Sequence, residues 1–80
     1  MAVTALIVDD EYKNRESLAK LIDQFCYGVE VIGQAENVKS AKEFIDNNKP
    51  QIVFLDIEMP GGNGFTLLEK IKNQEFQLIF

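Results

Sequence analysis

Two short acidic stretches carry most of the chain's candidate chemistry. Asp9, Asp10 and Glu11 are consecutive, and Asp56 and Glu58 lie two positions apart further along. Carboxylates brought together repel. A unit-charge pair at ~4 Å costs about 1 kcal/mol in water and about 4 at an effective dielectric of 20. Stability alone does not select such a cluster, and a divalent cation relieves it. Oxygen donors of this kind suit a hard ion that keeps several waters, which describes Mg2+, with calcium or manganese as mimics. The chain has no histidine and one cysteine, Cys26, so imidazole and cysteine-built sites are excluded, as is an internal disulfide. Acidic residues after a strand also serve as helix caps. Glu11 reads as a cap before it reads as a ligand, and Asp9 serves either use. Asp10 and Asp56 together read as functional. Glu58 reads as exposed, its backbone carbonyl better placed than its carboxylate to reach a metal.

The elements that must position these groups alternate in hydrophobic period. Val3 to Val8 (VTALIV) is a continuous apolar run, the signature of a strand buried on both faces, and it ends in Asp9. Leu18, Leu21, Ile22 and Phe25, with Ala19 and Cys26 beside them, recur at helical spacing. Gly28 then stops that helix. Val29 to Ala35 reads as a second strand, interrupted by Glu30 and Gln34 as an edge strand tolerates. Asn37 is a good N-cap for a helix bearing Val38, Ala41, Phe44 and Ile45, and Pro50 ends it. Gln51 to Leu55 is a third apolar strand, followed by Asp56. Pro60 to Gly64 is a loop, Asn63 caps a third helix with Phe65, Leu67, Leu68 and Ile71, and Phe76 to Phe80 begins a fourth strand.

The order β-α-β-α-β-α-β predicts a parallel α/β sheet with right-handed crossovers. The two most apolar strands, the first and third, belong in the centre and the second at an edge, giving strand order 2-1-3-4. The chain direction reverses between strands 1 and 3. Open parallel sheets bind ligands at such a point, beyond the carboxyl ends of the strands. Asp9, Asp10 and Asp56 are expected to meet there.

Composition bounds the rest. The 80 residues, 46% hydrophobic and 26% charged, fit one small globular domain over residues 1–80. A net charge of -5 argues against a nucleic-acid surface in this stretch. No apolar run is long enough to span a membrane, and no secretion signal opens the chain. Gly61-Gly62-Asn63-Gly64 lacks the Lys-Ser/Thr of a nucleotide-binding P-loop. Tyr12, Phe44, Phe65 and Phe76 suit core or interface packing, and Cys26 is expected as a buried free thiol.

The stretches Ala5-Leu6-Ile7-Val8-Asp9-Asp10-Glu11 and Phe54-Leu55-Asp56-Ile57-Glu58-Met59-Pro60-Gly61-Gly62-Asn63-Gly64 resemble the CheY-like receiver domain of two-component response regulators. The likeness covers essentially the whole chain. A looser match is to receivers of transcription regulators with a LytTR-type DNA-binding output. The resemblance implies a partial flavodoxin-like doubly wound parallel sheet, lacking the last βα units. It implies that Asp56 accepts a phosphoryl group from a phosphohistidine on a sensor histidine kinase. Asp10 then ligates Mg2+ directly, Asp9 acts through metal-bound water, and Glu58 gives its main-chain carbonyl. Pro60 and Gly64 match the structural loop, Gly64 at the start of the third helix. Arg15 matches a basic position on helix 1, read as structural. The implied setting is cytoplasmic, and no catalytic residue beyond Asp56 is implied, so the chain is not expected to be an enzyme.

The family's switch Ser or Thr and its Lys fall at the ends of strands 4 and 5, beyond Phe80, so the chain reads as an N-terminal fragment. One sheet face is then expected to be poorly covered, with Val53, Leu78 and Phe80 facing water and strand 4 left as an edge. The expected consequence is a homo-oligomer or swapped dimer through that face. Two other readings stand beside this one. One is a phosphorylation-incompetent interaction or oligomerisation module. The other is a Mg-dependent aspartyl phosphatase, against which stands Glu58, followed by Met59-Pro60, where that group usually carries a second aspartate.

Overall fold

The computed structural model describes residues 2–55 and the backbone of residues 77–79. The elements are β1 (Val3–Val8), α1 (Tyr12–Phe25), β2 (Val29–Ala35), α2 (Val38–Asn48), β3 (Ile52–Leu55) and β4 (Gln77–Ile79). All described strand pairs are parallel, and the sheet order is β2-β1-β3-β4. The expected order therefore holds, with the interrupted strand at the edge. The expected third helix lies outside the described residues.

β1 is central because it carries no polar residue after Thr4, and Ala5, Leu6, Ile7 and Val8 are all buried. Alternation sends Leu6 and Val8 to one face and Ala5 and Ile7 to the other. On the first face Leu6, Val8, Ala35, Val53 and Leu55 meet Val38, Ala41 and Ile45 of α2 in one cluster. Burying a Val or Ile side chain there contributes about 1.5–3 kcal/mol. On the second face α1 lies over β1 and β2 and buries Ile22.

This register corrects one expectation. Val53 does not face water: it pairs with Leu6 and is 0% exposed. A one-residue change of parity moves a side chain to the other face, and the half-buried residues on the α1 side of β3 are Ile52 and Phe54. Of the other two residues in that expectation, the side chain of Leu78 and all of Phe80 lie outside the described residues.

α2 begins as its sequence dictates. Asn37 is extended, and its Oδ1 accepts from the Ser40 N–H at 2.8 Å. It ends at Lys49, a left-handed residue (φ 47°) whose N–H donates to Ile45 O, followed by buried Pro50. Gln51 falls just outside β3 because it is used as a tie. Its N–H donates to Thr4 O and its Oε1 accepts from the Thr4 N–H.

α1 is less buried than its stripe implies. Leu21 and Phe25 are 52% and 72% exposed, and Leu18 and Ala19 are half-buried. Cys26 is exposed rather than buried, because it stands at the helix C-cap, past the last turn that packs on the sheet. Tyr12 is also exposed, and lies beside Arg15 instead of in the core. Phe44 is half-buried against the α2 cluster, while Phe65 and Phe76 lie outside the described residues.

Candidate functional site at the carboxyl ends of β1 and β3

β1 and β3 finish together. Their parallel register runs from Ala5 opposite Ile52 to Val8 opposite Leu55. Asp9 and Asp56 are the next residues in sequence after these paired ends. Asp56, Glu58, Pro60 and Gly64 lie outside the described residues, so the β1–α1 loop is the half of the site with described geometry.

That loop is held through Asp9. Its N–H donates to Ala35 O at 3.0 Å, continuing the β1–β2 ladder by one bond. Its carbonyl accepts from Arg15 Nη1 at 2.7 Å. Its Oδ1 accepts from the Glu11 N–H at 2.9 Å, an Asx-type closure of the turn. Glu11 occupies the N-cap position of α1, yet its side chain makes no capping bond. The carboxylate that braces this helix start is therefore that of Asp9, not the expected Glu11.

Asp10 differs from its neighbour. It is exposed, while Asp9 is half-buried. No hydrogen bond among the described residues engages the Asp10 carboxylate. The two aspartates thus present one uncommitted carboxylate and one with an oxygen already in use. Among the described residues alone, no three acidic groups gather closely enough to hold a metal. The donors present, carboxylate oxygens with water access, fit a hard cation such as Mg2+ and not a soft one.

A polar network missed by sequence reading supports this loop. Arg15 Nε donates to Gln34 Oε1 at 3.2 Å, and Gln34 Nε2 donates to Glu16 Oε1 at 3.3 Å. The Arg15 guanidinium carbon lies 5.6 Å from the centroid of the Tyr12 ring. Gln34 had the look of a polar interruption in an edge strand. The available signal is its place next to the carboxyl end of β2, within reach of the start of α1, where both its partners, Arg15 and Glu16, lie.

A family model for the response regulator receiver domain matches residues 5–80. The chain belongs to the response regulator receiver family. It is 47% identical over 66 residues to a response regulatory protein of Shewanella oneidensis, covering 82% of this chain and 28% of that protein. It is 45% identical over 71 residues to the sensory transduction protein LytT of Bacillus anthracis, covering 85% of this chain and 28% of LytT. The response regulator domain of Thermotoga maritima CheB superposes with a TM-score of 0.88 at 30% identity, covering 98% of this chain and 58% of that one. The receiver chain thus spans under a third of the length of these curated relatives. The flavodoxin-like receiver fold expected from sequence is the observed one, and its setting is two-component signalling. Among the described residues, no helix is long and apolar enough to cross a membrane.

Proposed function

We propose that this receiver takes a phosphoryl group onto Asp56, with Mg2+ held beside it by Asp10, Asp9 and the main-chain carbonyl of Glu58. The observation that supports this reading is the pairing of Val8 with Leu55. Neighbouring parallel strands lie about 4.8 Å apart. Strands that end side by side, at the point where the chain direction reverses, support the reading that the aspartates following them share one crevice.

Each residue then has a distinct part. Asp10, exposed and uncommitted, ligates the ion directly. Asp9, with Oδ1 engaged by the Glu11 N–H, acts through metal-bound water. Pro60 and Gly64 shape the loop that follows Asp56. Bound there, the ion would supply neutralisation of the charge on the three equatorial phosphoryl oxygens. An Asp56 carboxylate oxygen attacks phosphorus in line, and the new O–P bond forms as the bond to the donor's histidine nitrogen breaks. The product is an acyl phosphate that water hydrolyses. No catalytic group beyond Asp56 is proposed.

The proposed setting of this receiver is cytoplasmic, and its phosphoryl donor is a sensor histidine kinase. The identity with LytT supports a parent protein that regulates transcription through a LytTR-type DNA-binding output. This receiver stretch itself makes no nucleic-acid contact in the proposal, consistent with its charge of -5. The chain also self-associates through its α1-side face, as a homo-oligomer or swapped dimer, a reading supported by the exposure of Leu21 and Phe25 and the half-burial of Ile52 and Phe54.

Mass spectrometry after treatment with acetyl phosphate and Mg2+ tests the chemistry. The chain should gain the mass of one phosphoryl group, and Asp56→Asn should gain none. An unmodified chain, or equal modification of the variant, would favour the phosphorylation-incompetent module instead.

A further inference from the structure

We propose that Arg15, seated by Gln34, is a positioning residue that fixes the β1–α1 loop so that the Asp10 carboxylate is held out for the cation. The inference rests on the reading of Asp10 as a metal ligand and adds to it a pair of residues with no contact to the ion.

Three bonds leave Asp9 little freedom, and the one to its carbonyl comes from Arg15 Nη1 at 2.7 Å. The same guanidinium is tied through Nε to Gln34 Oε1 at 3.2 Å. Gln34 is itself located twice. Its backbone is registered opposite Ile7 in the β1–β2 ladder, and its Nε2 donates to Glu16 Oε1. The Tyr12 ring flanks the guanidinium. A planar fork with donors in two directions makes this bridge, and a lysine ammonium on a flexible stem does not reproduce it. The Asp9 carbonyl is the peptide oxygen directly preceding Asp10, so fixing it fixes the plane from which the Asp10 side chain departs. Asp10 has no partner of its own among the described residues. Its orientation therefore depends on its backbone, and its backbone depends on Asp9, Arg15 and Gln34.

A charge role and a positioning role give opposite signs. A nearby guanidinium repels a cation, so a purely electrostatic Arg15 makes Arg15→Ala bind Mg2+ more tightly and leaves Arg15→Lys unchanged. A positioning Arg15 makes both weaker. Gln34→Leu removes the second anchor with no change of charge and should also weaken binding.

The test is calorimetric titration with Mg2+ of the chain, Asp10→Ala, Arg15→Lys, Arg15→Ala and Gln34→Leu, with thermal unfolding of each. The expected result is loss of binding in Asp10→Ala and a rise of about 10-fold in the Mg2+ Kd of Arg15→Lys and Gln34→Leu, measured where both remain folded. If Arg15→Ala does not fold, these two variants carry the test. Parent-like affinity in Arg15→Lys, or tighter binding in Arg15→Ala, overturns the assignment. Parent-like affinity in Gln34→Leu overturns the part given to Gln34. A parent chain that binds no Mg2+ overturns the metal reading itself, which is a different failure from a parent that binds and an Arg15→Lys that binds equally.

Discussion

Val8, the last residue of β1, stands opposite Leu55, the last residue of β3. Both are buried on the face that α2 covers, at 1% and 3% exposure. The packing that makes these strands the centre of the sheet also sets where they stop, and each is followed in sequence by aspartate. Core and site are thus coupled through two neighbouring residues. A one-residue slip of register between β1 and β3 would bury the wrong faces, and on the proposed reading it would also move the two aspartates apart.

The edge strand depends on a missing side chain. β2 carries a bulge, with Ala5 opposite Val31 but Leu6 opposite Gly33, so Ile32 is the extra residue. Gly33 then faces α2, and a Cβ added there would collide with the Phe44 ring. Gly33→Ala should destabilise the chain by about 1–3 kcal/mol, as overpacking does. In urea unfolding, Phe44→Ala combined with Gly33→Ala should cost less than the sum of the two single changes. Strict additivity would show that the ring is not the obstacle.

The two helix starts make a matched pair. Asn37 caps α2 through its own Oδ1, whereas Glu11 stands at the α1 N-cap with an idle side chain. Asn37→Ala should lower unfolding stability by about 1 kcal/mol. Glu11→Ala should fall within about 0.5 kcal/mol of the parent. A large loss in Glu11→Ala would contradict the assignment of the bracing role to Asp9.

Self-association has a direct readout. Light scattering after gel filtration should show a species heavier than the 9.1 kDa chain, increasingly so at higher concentration. Leu21→Glu with Phe25→Glu should shift it toward the monomer, since both side chains are exposed on α1. A monomer that persists at high concentration contradicts the proposed interface.

Much of the fold was legible because it is written in apolar runs. VTALIV and IVFL have no polar face to offer and had to lie inside, and VEVIGQA has Glu30 and Gln34 and had to lie outside. The Asn37 cap and the Pro50 stop were legible as local chemistry. Parity is not: a continuous apolar strand reads the same in either register, so the sequence does not say that Val53 lies on the face that α2 covers. Nor was the depth of α1 legible. Periodicity gives the direction of a stripe but not its width, so Ile22 is buried while Leu21 and Phe25 are not. The acids of the site were visible as types and spacing. The Arg15–Gln34 bridge was not, because its residues are 19 positions apart and meet only through the β1–β2 pairing.

The central claim is that Asp10 and Asp56 share one hard cation. The direct measurement is the Mg2+ affinity of the chain beside Asp10→Ala and Asp56→Asn, by calorimetry at constant ionic strength. Both variants should lose the binding that the parent shows, while all three stay folded. Parent-like affinity in either variant would contradict the shared site.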